Sequence, residues 1–200
     1  MSLLLPAALL VIVFVVIAMA GSEGLWSNAI TLVNVVTAAL LATNFWEPVA
    51  EALIEQFPQG TFLWDFSALW GLFAVGLIVL RTATYFASRV KVRFPKLVEI
   101  LGGYFLAVWI GWVMVGFTAM TLHTAPLARE FMFGGFKPEK RILGLAPDRQ
   151  WLAFMQRASR GAFARRSGDS LQIFDPHGDF IIKYATRRQR FARMENILVK

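Results

Sequence analysis

No lysine or arginine occurs before Arg81, and the chain up to that point carries only five acidic side chains, Glu23, Glu47, Glu51, Glu55 and Asp65. A stretch so poor in charge cannot cover a water-facing surface of its own size, so it has to be solvated by something apolar. A hydrocarbon core about 30 Å thick takes about 20 mainly apolar residues per helix. The sequence offers four such runs, at about 3–20, 28–46, 62–86 and 97–122. Gly21, Ser22 and Gly24 break the first run, and Glu47-Pro48 is the expected end of the second because proline cannot continue a helix. EALIEQFPQG turns at Pro58 and Gly60, and the basic loop RVKVRFPK precedes the fourth run. Ala18-Met19-Ala20 before Gly21 also fits a signal-peptidase site. The basic n-region is missing, however, and the apolar run exceeds a usual h-region, so a retained anchor is expected.

The expected fold class is therefore an all-α membrane protein: a four-helix transmembrane domain over 1–122, then a small basic C-terminal tail over 123–200. Residues 125–200 hold 15 of the 20 Lys and Arg but only 7 of the 13 Asp and Glu. So basic a tail suits an acidic partner, and beside membrane spans that partner is first of all anionic lipid, then a protein docking on the tail. The loop with Arg81, Arg89, Lys91, Arg93 and Lys96 is expected in the cytoplasm, which places both termini outside. Arg129, Lys137, Lys140 and Arg141 argue the other way, but long tails follow the rule weakly. Trp26, Trp46 and Trp64 fall at expected span ends, where indole rings favour the headgroup level. Trp70, Trp109 and Trp112 lie deeper, as packing residues.

Helices in lipid associate through close backbone approach and hydrogen bonds. Gly103, Ala107 and Gly111 are spaced four apart on the fourth run, and Ser67 and Gly71 on the third, so these stripes are expected to pair. Ser27, Thr31 and Asn34 make a polar face on the second run. That face is either interhelical hydrogen-bond glue or, in a small oligomeric channel or transporter, the lining of a path. No ionisable group lies near the middle of any run, which speaks against a pump.

In the tail, about 148–165 reads as an amphipathic helix opened by Pro147. Trp151, Leu152, Met155, Ala158, Ala162 and Phe163 form its apolar side, and Arg149, Arg157 and Arg160 its basic side, with Arg165 and Arg166 beyond. These five arginines are the expected contacts to lipid or partner; the apolar side lies either in the membrane interface or against the rest of the protein. LQIF-DPHGD-FIIKY reads as a β-hairpin around Pro176 and Gly178. Arg187, Arg188, Arg190 and Arg193 come without any nucleic-acid-binding module, so a nucleic-acid partner is not expected.

The chain has no cysteine, and its two histidines, His123 and His177, stand without partners at metal-site spacing. Asp175, His177 and Asp179 share a turn, but these are ordinary turn residues. No catalytic, cofactor-binding or metal-binding motif is present, so no enzymatic role and no cofactor are expected.

Gly24-Leu25-Trp26 after the first run, and a fourth run opening Leu101-Gly102-Gly103 and reaching Gly111, resemble the colicin V production protein family of bacterial inner membranes. LGLAPDRQWLAFMQRASRGAF and FDPHGDF resemble the longer, planctomycete-type members. The resemblance implies a multi-pass inner-membrane protein, a scaffold or export accessory in toxin production or envelope maintenance, without enzymatic activity.

Overall fold

In a computed structural model, residues 4–88, 92, 94–126, 141–167 and 170–198 are described. Side chains are described for all of these except 143, 167, 170 and 191–198. Arg89, Lys91, Arg93, Arg129, Lys137 and Lys140, on which the expected orientation rests, lie outside that set.

Among the described residues six α-helices carry the fold: α1 (Leu4–Ala20), α2 (Leu25–Gln56), α3 (Trp64–Ala87), α4 (Lys96–Thr124), α5 (Pro147–Ser159) and α6 (Phe180–Leu198). Three of them, α2, α3 and α4, are long and apolar enough to cross a membrane; α1 is apolar but has 17 residues. Large side chains such as Phe14, Val33, Val75, Ile78 and Phe105 stand exposed on the outer faces of these helices. In water that would be costly; in hydrocarbon it is the ordinary state of a span.

The second helix overruns its expected end. Pro48 lies inside α2, which continues to Gln56. At 1.5 Å per residue its 32 residues reach about 48 Å, well beyond a hydrocarbon core of about 30 Å. Proline removes one backbone hydrogen bond, but a helix packed on neighbours can run through it when the orphaned carbonyl finds another donor.

The expected pairing of the two small-residue stripes does not form. A Cβ on Gly71 would meet nothing within 4 Å. α3 instead lies along α2, touching at Gly76, where a Cβ would come 3.6 Å from Ala38 Cβ. The stripe of α4 faces α1 and the turn behind it: a Cβ on Gly111 would lie 3.3 Å from Val13 Cα, and one on Gly103 would lie 3.4 Å from Gly24 Cα. Small residues license a close approach without naming the partner, and connectivity decided it here. The tight turn at 21–24, which joins α1 to α2, itself packs on α4 at Gly103.

The tail folds back onto the bundle. Trp151, Leu152 and Met155 of α5 and Phe180 and Tyr184 of α6 join one buried cluster with Ala42 and Trp46 of α2, Leu69 and Phe73 of α3, and Phe117 and Met120 of α4. The ring of Phe117 is its hub, with centroids 5.5 Å from Trp70, 4.8 Å from Phe73 and 5.9 Å from Trp151. Of the two alternatives for the amphipathic helix, its apolar face is thus covered by protein. The helix also stops at Ser159, short of 165.

The expected hairpin is displaced. The strands are β1 (Arg165–Ser167) and β2 (Ser170–Gln172), antiparallel with Arg166 opposite Leu171, so the Leu171 strand pairs backward along the chain. FIIKY opens α6 instead, and the DPHGD turn is that helix's cap. Asp175 Oδ1 accepts the backbone N–H groups of Asp179 (2.9 Å) and Phe180 (3.2 Å). An Asx turn and a helix N-cap use the same residues, and the pattern of LQIF and FIIKY does not distinguish them.

Candidate functional site

The polar side chains of the molecule converge where the tail meets the bundle, and Pro48 begins the arrangement. With no N–H at position 48, the carbonyl of Asn44 lacks its helical donor. Arg165 Nη1 supplies one at 2.9 Å, and Asn44 Nδ2 donates to Phe163 O at 3.0 Å. A proline inside α2 thus becomes a docking point for the chain after α5. One residue earlier, Thr43 donates to its own helix at Ala39 O (2.7 Å) and accepts the indole N–H of Trp151 (3.2 Å).

Across the bundle, His123 Nε2 at the end of α4 and Asp148 Oδ2 in the first turn of α5 are hydrogen-bonded at 3.0 Å. Their side chains are 4% and 3% exposed, so the pair is sealed from solvent. Arg188 of α6 donates to the backbone oxygen of His123 at 2.8 Å. Burial disfavours its charge and pushes its pKa below the usual arginine range.

The third contact anchors α6 to the start of α3. Asp65, 3% exposed, accepts the Tyr184 hydroxyl at 3.0 Å and pairs with Arg187, which also reaches Thr61 O. Burial, and then the neighbouring Asp65 carboxylate, push the Tyr184 phenol well above the usual tyrosine range, so it stays neutral as a donor. Its ring packs 6.1 Å from Trp46 and 4.8 Å from Phe180. Burial likewise raises Asp175 above the usual carboxylate range.

The residues singled out from sequence are not brought together. Asn34, buried on α2, donates to Thr84 Oγ1 of α3 at 2.9 Å. Ser27 donates to Glu23 at 3.0 Å, a local bond, and Thr31 is half-buried. Ser67 is half-buried, Gly71 exposed, and Gly103, Ala107 and Gly111 buried. Arg149, Arg157, Arg160 and Arg166 are exposed on the tail, whereas Arg165 is half-buried in the Asn44 contact.

Sequence reasoning missed Asn28, fully buried, whose amide donates to Ala20 O (2.8 Å) and to Gly103 O (2.9 Å) and so ties the α1–α2 turn to α4. It also missed the His123–Asp148 and Asp65–Tyr184–Arg187 contacts. The available signal was a charge at each span end, Asp65 and His123, with oppositely charged or hydrogen-bonding residues in the tail. Among the described residues no three His, Asp or Glu side chains are grouped to hold a metal.

Chemically these are docking contacts: each joins groups of the tail to one residue of the bundle. No family model, no curated protein and no solved structure matches this chain.

Proposed function

We propose that this chain is a non-enzymatic, multi-pass membrane protein with four spans, working as a scaffold or export accessory whose tail, locked on one end of the bundle, presents a basic face to anionic lipid or a partner protein. The single observation behind the reading is that Asn28, Asn34 and Thr43 make helix-to-helix or tail-to-helix bonds. Each ends on another element rather than facing a common path. Arg149, Arg157, Arg160 and Arg166 meanwhile remain on the outer surface of the tail.

The fourth span in this reading is α1. It runs antiparallel to α4 with Leu5 and Leu9 beside Val115 and Ala119, Val13 beside Gly111 and Gly21 beside Tyr104. Seventeen residues cover about 25 Å. α1 therefore shares the depth of α4 over most of a hydrocarbon core of about 30 Å. The toxin-production or envelope role and the bacterial inner-membrane location are what the motifs around Gly24, Gly102 and Asp175 imply.

Two measurements test the reading together. Purified protein in liposomes should carry no ion or small-solute flux, and photo-cross-linkers at Arg157 and Arg160 should capture phospholipid or a defined membrane partner. Flux that Asn34→Leu abolishes would overturn the scaffold in favour of the oligomeric channel, because that substitution removes the amide from the polar face.

A further inference from the structure

His123 and His177 are the two histidines of the chain, and histidine is the one side chain whose ordinary titration falls between about pH 5 and 8. His177 is exposed in the turn before α6. His123 is sealed where three elements meet: it belongs to the last turn of α4, its ring bonds to Asp148 of α5, and its backbone oxygen accepts from Arg188 of α6. The other bonds that hold α5 and the chain after it, Trp151 on Thr43 and Arg165 on Asn44, join indole, hydroxyl, guanidinium and carbonyl groups. None of these changes charge in that range.

We propose that the His123–Asp148 contact is a pH-sensitive latch, which holds α5 on the bundle at neutral pH and releases it on acidification. The latch needs only the docked tail and is independent of the scaffold role. Asp148 lies in the first turn of α5, where the helix dipole favours a negative charge, so the ring nitrogen that faces it, Nε2, carries the hydrogen and donates it. A second proton can go only to Nδ1, on the other side of the ring, and it adds no hydrogen bond to Asp148. It does add a charge to a side chain that is 4% exposed. Among the described residues Asp148 is the one carboxylate that faces the ring, and two guanidiniums face it as well, those of Arg188 and Arg149. α1 has no charged side chain, and Glu47 of α2 and Asp65 of α3 pair with Arg165 and Arg187 instead. The carbonyl oxygen of His123, which at a helix C-terminus would favour a cation, is already taken by Arg188. Protonation therefore sets three cations against one carboxylate at a ring that water does not reach. Undocking relieves this, because the released imidazolium is hydrated.

The experiment is hydrogen exchange of the full chain in detergent micelles, corrected for the intrinsic pH dependence of exchange. Protection of the α5 amides should fall by about tenfold from about pH 7 to about pH 5, the order expected for uptake of one proton, while that of α2 and α3 stays constant. His123→Gln, whose amide can still donate to Asp148 but takes up no proton, should keep α5 protected at both pH values. His177→Gln should keep the wild-type response. Should His123→Gln not dock at neutral pH, nitrogen NMR shifts of the imidazole rings in wild type decide instead. His123, told from His177 by the His177→Gln spectrum, should become protonated in step with the loss of α5 protection. Protection of α5 that is unchanged or higher at acid pH overturns the latch, as does a loss that persists in a docked His123→Gln. An imidazolium that forms while α5 stays docked, or a loss shared equally by α2 and α3, overturns it too.

Discussion

Along α1 and α4 the closest approach is made at residues with almost no side chain. Gly103, Ala107 and Gly111 let Gly24 and Val13 come within van der Waals distance of the α4 backbone. Where the tail meets the bundle, the contact is made by long or polar side chains that each find a named partner: Trp151, Arg165 and Tyr184 donate to Thr43, Asn44 and Asp65, and Asp148 bonds to His123. The first seam is tolerant of chemistry and strict about volume; the second is the reverse. Hydrocarbon solvates apolar side chains as well as protein does, so spans gain most from close packing. Where the tail meets the bundle, directional bonds between buried partners fix a single arrangement.

That contrast can be broken most forcefully at His123. Replacing it with Ala leaves the buried Asp148 side chain without its hydrogen-bond partner, a loss of about 3 kcal/mol. Limited trypsin digestion should then cut the arginines of α5 while α1–α4 stay protected; joint loss of both regions would show one cooperative unit rather than two seams.

Next in size is overpacking at α1–α4. Gly111→Leu should destabilise the bundle by about 1–3 kcal/mol, because the new side chain meets the Val13 backbone. Gly71→Leu should be neutral, since its Cβ meets nothing within 4 Å. Equal melting temperatures for the two variants would remove the distinction between the stripes.

Alkaline pH should loosen only the tail. The unfolded chain ionises its tyrosines from about pH 10 upward, while the docked Tyr184 phenol, buried beside Asp65, resists ionisation. The stabilisation is complete below about pH 10 and is lost as pH rises beyond it, by up to roughly 1.4 kcal/mol per pH unit. Hydrogen exchange of α6 against pH reads this, and Tyr184→Phe, which cannot ionise, should flatten the alkaline limb.

The smallest effect is also the most specific. Pro48→Ala restores an N–H that competes with Arg165 for Asn44 O, weakening tail docking by about 1 kcal/mol while leaving α2 intact. Arg165→Met should do the same, and the double variant should be no worse than either single one. Additive losses would mean that the two residues do not share that carbonyl.

Several of these residues show how far the sequence could be read. The apolar runs and the basic tail were legible because hydropathy and charge are local sums. Trp151, Leu152 and Met155 were legible as one face of a helix for the same reason. Pro48 was misread: a proline ends a helix only when nothing satisfies the carbonyl it frees, and the donor here, Arg165, lies 117 residues away. FDPHGDF was misread because a cap and a hairpin turn draw on the same residues. Nothing local to His123 or Asp65 in the sequence names a partner; the tail supplies Asp148, Tyr184 and Arg187.

By itself, the order of residues determined which solvent each part of this protein requires: long runs without charge need hydrocarbon or burial, and fifteen cations in the last 76 residues need an aqueous or anionic surface. Only the tertiary structure decided which helix faces which, because a glycine stripe or an amphipathic face states that something must approach and leaves the choice to chain connectivity and to the few directional bonds that one geometry alone can close.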